Sequence, residues 1–333
     1  MTWLTWRQFR SQTWVTIVGL IAFGAVLIAA AKAVADLYTD SGAAACRSNC
    51  QPLIQNFLEQ AQGGWTGIVY NAGIAVLYIL PGLIGAFWGA PLVARELEAG
   101  THRLAWNQSV TRTRWLLTKL GIVGAATVAT MGLLSLAITW YSSRLDEGTA
   151  NMIKPELFGA RDVVPIAYGL FAFAVGVTAG ILIRRTVPAM AVTLAVYLGV
   201  AVAMPLWIRK HLMPLAHATP PLDVTNIHGL MLSGPDRRVT VLGGTDVTGW
   251  LVSNQTVTPT GAVFTGPADP QYCGEDGGPR ACLNWIGTLN LRQDITYQPA
   301  SHYWPLQWIE AGILVAAAAL LIGLCLRLTR RLT

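Results

Sequence analysis

Residues 67–94 read GIVYNAGIAVLYILPGLIGAFWGAPLVA, 28 residues without one charged side chain, and the run ends abruptly on Arg95-Glu96-Leu97-Glu98-Ala99-Gly100. A hydrocarbon core about 30 Å thick takes roughly 20 helical residues to cross and offers no water to backbone amides, so an uncharged run of this length reads as a membrane-spanning helix. The same reading picks out Trp14 to Ala31, Leu120 to Ser143, Val163 to Ile183, Thr186 to Ile208 and Trp304 to Leu326, the last carrying a single carboxylate, Glu310. Six spans put both termini on one side. The expected fold class is an all-α polytopic membrane protein with six transmembrane helices and an amphipathic N-terminal helix, plus a small extracytoplasmic β-rich domain between helices 5 and 6.

Composition agrees. Of 333 residues, 53% are hydrophobic and 12% charged, against roughly 25% charged in a soluble globular domain. A soluble enzyme, a disordered chain and a bare nucleic-acid-binding domain are excluded on that balance, and the net charge of +6 matters through where the charges lie. Arg7 and Arg10 ahead of an apolar run closing on Ala29-Ala30-Ala31 imitate a secretory signal, but 18 uncharged residues exceed a signal core of roughly 7 to 15, so the helix is expected to be retained. Residues 1–13 place Trp3, Leu4, Trp6 and Phe9 among Arg7 and Arg10, a pattern for a helix lying in the headgroup layer or for a flank that anchors the first span. Lys32 reads as a snorkelling flank at the other end of that span.

With cytoplasmic termini, 12 of the 23 Lys and Arg fall in residues 1–13, 95–119, 184–185 and 327–333, whereas the other segments outside the spans are about three times as long and hold the remaining 11. That bias sets orientation during insertion. Four of the five cysteines then fall outside the cell, Cys46 and Cys50 in one segment and Cys273 and Cys282 in another. An oxidising face favours disulfides; four cysteines allow three connectivities, of which the local pairs Cys46–Cys50 and Cys273–Cys282 are preferred. The chain thus divides into an interfacial helix (1–13), spans 1 to 5 with a cytoplasmic loop at 95–119 (14–208), an outer domain (209–303), and span 6 with a basic tail (304–333). The outer domain is rich in Gly, Pro, Thr and Val, and Arg238-Val-Thr-Val-Leu242 and Trp250-Leu-Val-Ser-Asn254 read as short strands.

Several chemistries are missing. The four lysines, Lys32, Lys119, Lys154 and Lys210, follow Ala, Thr, Ile and Arg, so no Gly-Lys pair exists and no phosphate loop can form. No His is followed by Glu, no G-x-S-x-G elbow occurs, and no His stands at a finger-like spacing from the cysteines. The expectation is therefore no catalytic residue, no metal and no cofactor in this chain. Glu310 is the one acid inside a span, either a functional group or one paired with a neighbouring base near the interface.

The loop between spans 2 and 3 is the one cytoplasmic segment big enough to hold structure. Its first residues can prolong span 2 as a helix, Gly100 can stop it, and Thr101 can cap a second short helix running to Trp106. Such an elbow can pass a push from a soluble partner to the spans, or its charges can form solvated ion pairs worth little. The string Arg95-Glu96-x-Glu98-x-Gly100-Thr101, followed by Ser109-Val-Thr-Arg112 and Lys119, resembles the coupling loop of permease subunits of type-2 ATP-binding cassette (ABC) transporters. The wording at Leu104-Ala-Trp106, Trp115-Leu-Leu117 and Trp304-Pro-Leu-Gln-Trp-Ile-Glu310 is similar to permeases common in actinobacteria.

The resemblance implies a dimer of six-helix subunits, homomeric or with a related permease, in a bacterial plasma membrane, each seating a coupling helix on a separate ATPase, two copies in all, that binds the ATP and Mg. By carry-over, Arg95, Glu96, Glu98, Gly100, Thr101, His102 and Arg103 form or position that helix. Pro81, Gly82, Gly85, Gly89 and Pro91 in span 2 serve as a hinge or as close-packing points. The expected function is export of an amphipathic compound (a drug, an antimicrobial peptide or a lipid), with membrane lipids but no nucleic acid as partners. The alternative is a membrane receptor or assembly factor whose outer domain binds a ligand.

Overall fold

The computed structural model describes residues 2–47, 50–100, 111–149, 153–224, 227–233, 238–243, 247–274 and 278–331. These fall into two compact units, one built from residues up to 149 with 155–209 and 304 onward, the other mainly from Lys210–Tyr303.

The first unit is helical and holds six helices long and apolar enough to cross a membrane. Helix α1, Thr2–Asp40, runs unbroken, so the amino-terminal dozen residues form the first turns of the same helix as the first span. A helix that the uncharged-run reading does not find, α2 (Gln51–Gly63), follows. Among its described side chains it buries Phe57 and Ala61, with the Phe57 ring edge-on to Tyr38 of α1 at 5.2 Å. Cys46 and Cys50 are disulfide-bonded with Cα atoms 5.8 Å apart. They do not share a helical turn: Cys46 is extended and closes a short 3₁₀ turn, and Cys50 is the N-cap of α2.

Span 2 is one continuous helix, Trp65–Glu98, made of α3 (Trp65–Ile84), a π-helical turn at Gly85–Gly89, and α4 (Ala90–Glu98). Its 34 residues extend about 50 Å at 1.5 Å per residue, well beyond the hydrocarbon thickness. Span 3 lies in α5 (Arg112–Thr149), whose amino end is capped by the Thr111 hydroxyl accepting from the Arg114 N–H at 3.3 Å. Helix α6 (Val164–Ile183) is the centre of the unit, with 78% of its most apolar stretch buried. It packs against span 2, α5 and α7 (Thr186–Ala203). Because the burial surrounds it, its sequence is uniformly apolar rather than striped.

The second unit contains a three-stranded antiparallel sheet in the order β1 (Ala216–Ala218), β5 (Arg292–Pro299), β4 (Gly249–Val257), and a hairpin-like pair β2 (Ile227–Ser233) and β3 (Arg238–Gly243). Both strands read from the sequence are present, as β3 and β4. The unit is not purely β, since helix α8 (Gly278–Thr288) contributes Ile286 to a core with Val239, Val241 and Leu291. The Cys273–Cys282 disulfide sits inside that core, its Cα atoms 4.5 Å apart. Helix α9 (Tyr303–Arg331) carries the last span.

Candidate functional site

The carboxyl end of span 2 is a foot held by two neighbours. Glu96 turns toward α5, where its Oε1 lies 2.5 Å from Lys119 Nζ. Lys119 is buried, donates also to the Leu92 carbonyl at 3.3 Å, and stands over the Trp115 ring at 4.7 Å from its centroid. Glu98 turns toward α7, where its Oε2 accepts from the Thr186 N–H at 3.0 Å and the Thr186 hydroxyl at 2.8 Å. Helix α7 follows Arg185, an N-cap residue that supplies no side-chain cap. Glu98 therefore satisfies an orphan donor of α7 from another helix, and places a negative charge where the helix dipole favours one.

Arg95 stays exposed. Helix α4 ends through Ala99 N–H to the Arg95 carbonyl and Gly100 N–H to the Leu97 carbonyl, with Gly100 at φ +69°. A side chain is strained there, so glycine stops the helix at this point. Thr101, His102 and Arg103 lie outside the described residues.

The five proline and glycine positions of span 2 do separate work. Pro81 is buried inside the helix and removes one ladder donor. Pro91 follows the π-helical turn inside the continuous helix and removes a second ladder donor. Gly82 makes room for Tyr197, whose ring carbon would lie 2.7 Å from a methyl there. Gly85 and Gly89 face α6 so closely that a methyl on either would lie 2.5 or 2.7 Å from the Ala172 or Phe173 carbonyl oxygen. On α6, Gly176 and Gly180 complete the contact, with a methyl at Gly176 falling 2.1 Å from the Gly85 oxygen. A G-x-x-x-G spacing on each helix carries this signal, and the α6 pair is the half that the sequence reading passed over.

Toward the other end of span 2 is a buried polar node. Glu310 on α9 is fully buried and receives Arg209 through two parallel bonds, Nε to Oε2 at 2.7 Å and Nη2 to Oε1 at 3.0 Å. Tyr168 of α6 donates to the same Oε1 at 3.0 Å. The third Arg209 nitrogen donates to the Pro155 carbonyl at 3.2 Å, and the guanidinium stacks on Phe158 at 4.4 Å. Pro155 also accepts from the Tyr78 hydroxyl of span 2 at 3.1 Å, and the Tyr197 hydroxyl donates to the Tyr78 carbonyl. Gln307, one turn before Glu310, spans the Phe158 carbonyl and the Val164 N–H. Arg209 belongs to this helical unit, not to the outer domain as the sequence boundary had it, because span 5 continues to His211.

Tyr78 and Glu98 are 20 residues apart on one helix, about 30 Å at 1.5 Å per residue. Span 2 thus joins an ion-paired foot to a buried ion-paired node, with the π-helical turn between them. Among the described residues no group of three or more His, Cys, Asp or Glu side chains could hold a metal ion.

No curated protein and no solved structure matches the chain. A model of the family described as ABC-2 membrane transporter related matches residues 17–209, more than half of the chain, and with span 2, both latches of its foot and Arg209 inside that stretch, the chain belongs to the ABC-2 membrane transporter related family.

Proposed function

We infer that the chain is the permease of an ABC transporter that exports an amphipathic compound, its foot at Arg95–Gly100 moved by a separate ATPase. The observation that carries this reading is the double latch: Glu96 on Lys119 and Glu98 on Thr186 tie the end of span 2 to spans 3 and 5. A force applied at Arg95 then displaces three helices together rather than bending one. Span 2 continues from there to Tyr78, whose bond to Pro155 joins it to the Arg209–Glu310 node.

In this reading the chain contributes no catalysis, and ATP and Mg reside in two copies of the ATPase. Two permease subunits form the pathway, the termini and the foot face the cytoplasm of a bacterial cell, and the Lys210–Tyr303 unit faces outward, where its disulfide is at home. The wording around Leu104-Ala-Trp106 supports the kinship with actinobacterial permeases.

The decisive experiment is affinity purification from the native host in mild detergent, followed by ATP hydrolysis in lipid with and without this chain. A co-purifying Walker-motif protein whose hydrolysis rises severalfold with substrate is expected. An isolated chain with no ATPase partner would overturn the reading and favour a receptor whose Lys210–Tyr303 unit takes a ligand.

A further inference from the structure

Lys119 and Arg209, buried cations set within spans, each hold a carboxylate. Lys32 of α1 does not: it has no hydrogen bond or ion pair among the described residues, and Asp36, one turn further on, makes none with it. A charged group on a membrane helix is expensive unless something neutralises it. Here the protein leaves that neighbour to be supplied from outside.

The surroundings say what it is. Lys32 lines an open groove of about 350 Å³ between α1 and α5, with Ile28, Ala31 and Val34 on one side and Trp140 and Ser143 on the other. Each helix places its apolar residue one turn nearer midspan than its polar one, Ile28 before Lys32 and Trp140 before Ser143. The groove is therefore lined by Ile28, Ala31 and Trp140 toward the bilayer centre, with Lys32 and Ser143 nearer the surface beside Val34 and Ala35. Its hydroxyls are committed, Ser143 donating to the Trp140 carbonyl at 2.9 Å and Tyr141 to the Thr66 carbonyl at 2.8 Å. The ammonium of Lys32 remains as the cationic donor. Ile28, Leu136 and Trp140 on the two helices are 59 to 70% exposed, so this face meets lipid.

We propose that the groove seats an anionic phospholipid of the surrounding bilayer, its acyl chain along Ile28, Ala31 and Trp140 and its phosphate on the Lys32 ammonium. The assignment needs only that these helices cross a bilayer, and it stands or falls separately from the transport reading.

The test is native mass spectrometry of the full chain in mild detergent, titrated with phosphatidylglycerol and with phosphatidylcholine of the same acyl chains. Phosphatidylglycerol is retained about fivefold more tightly, the gain of one Lys near an anionic surface. Lys32→Ala abolishes that preference and Lys32→Arg keeps it. Ile28→Trp, which fills the groove and leaves the charge, lowers retention of both lipids. Equal retention of the two lipids by the unaltered chain, or an undiminished preference in Lys32→Ala, overturns the proposal. So does a Lys32→Ala change that alters oligomeric mass and not lipid retention, which would give the groove to a second copy of the chain.

Discussion

Arg209 and Glu310 stand 101 residues apart in the chain and meet through two parallel N–H to oxygen bonds of 2.7 and 3.0 Å, with side chains 1% and 0% exposed. A pair buried this completely is fixed by what happens when one member is removed: the survivor keeps its desolvation cost and loses its counter-charge. Arg209→Ala or Glu310→Ala is expected to cost about 3–5 kcal/mol, read as a melting temperature roughly 10 °C lower in detergent. Arg209→Met with Glu310→Leu should recover most of that loss, because packed apolar residues often replace a buried pair without penalty. If the double variant is stable and still transports, the pair is an anchor for α9; if it is stable and inactive, the node takes part in the transport cycle.

The foot of span 2 yields an asymmetric expectation. Glu96→Ala leaves the buried ammonium of Lys119 without a counter-charge, held only by the Leu92 carbonyl and the Trp115 ring, whereas Lys119→Met leaves Glu96, 16% exposed, one rotation from water. The first should destabilise by about 3 kcal/mol and the second by about 1 kcal/mol. Chemical denaturation of the two variants side by side checks the order, and the reverse order would mean that Glu96 does not face Lys119.

Glu98 and Arg95 are neighbours on the same helix with different work. Glu98→Ala removes the cap on Thr186, so the amides of Thr186 and Val187 should exchange hydrogen faster, while Glu98→Gln, which keeps an acceptor oxygen, should exchange nearly as the parent does. Arg95→Glu touches neither latch and should leave that exchange unchanged. Its effect is expected on the partner, as a severalfold loss of stimulated ATP hydrolysis. An Arg95→Glu variant that couples normally would remove the foot from the transport argument.

Much of this architecture is legible in the sequence. Five uncharged runs and a sixth with a single carboxylate are each about as long as a helix needs to cross a bilayer, and too long for barrel strands, so the spans are legible. Valines alternating at 239 and 241 exposed β3, and proximity in sequence exposed both disulfides. What stayed hidden depended on distance or on partial burial. Nothing local couples Arg209 to Glu310, or Glu98 to Thr186. Helix α2 carries too few apolar residues to stand out, since it buries little more than Phe57 and Ala61. The π-helical turn at Gly85–Gly89 lies in the close contact with α6, a segment far along the chain.

The Cys273–Cys282 bridge joins cysteines 9 positions apart in the chain, inside the core of the second unit. Chain-entropy reasoning assigns such a loop roughly 2–3 kcal/mol. Changing both cysteines to alanine should therefore speed exchange at Val239, Val241 and Ile286 while the six spans keep their protection. Loss of protection spreading into α6 would contradict the division into two units.

Glycine contacts between span 2 and α6 give the sharpest choice between a joint and a rivet. A methyl at Gly176 would lie 2.1 Å from the Gly85 oxygen, and one at Gly85 would lie 2.5 Å from the Ala172 oxygen. Both obstacles are backbone, so relief requires the helices to part, and overpacking of this kind costs about 1–3 kcal/mol or more. Gly199→Ala, on α7 with nothing within 4 Å, serves as the control and should be neutral or stabilising by up to about 1 kcal/mol. Because Gly85 and Gly176 share one contact, Gly85→Ala and Gly176→Ala together should cost less than the sum of the two single changes. If melting temperature and transport fall in proportion across this set, Gly85 and Gly176 are packing points. If Gly85→Ala at the π-helical turn abolishes transport while the melting temperature holds, span 2 must bend there during each cycle.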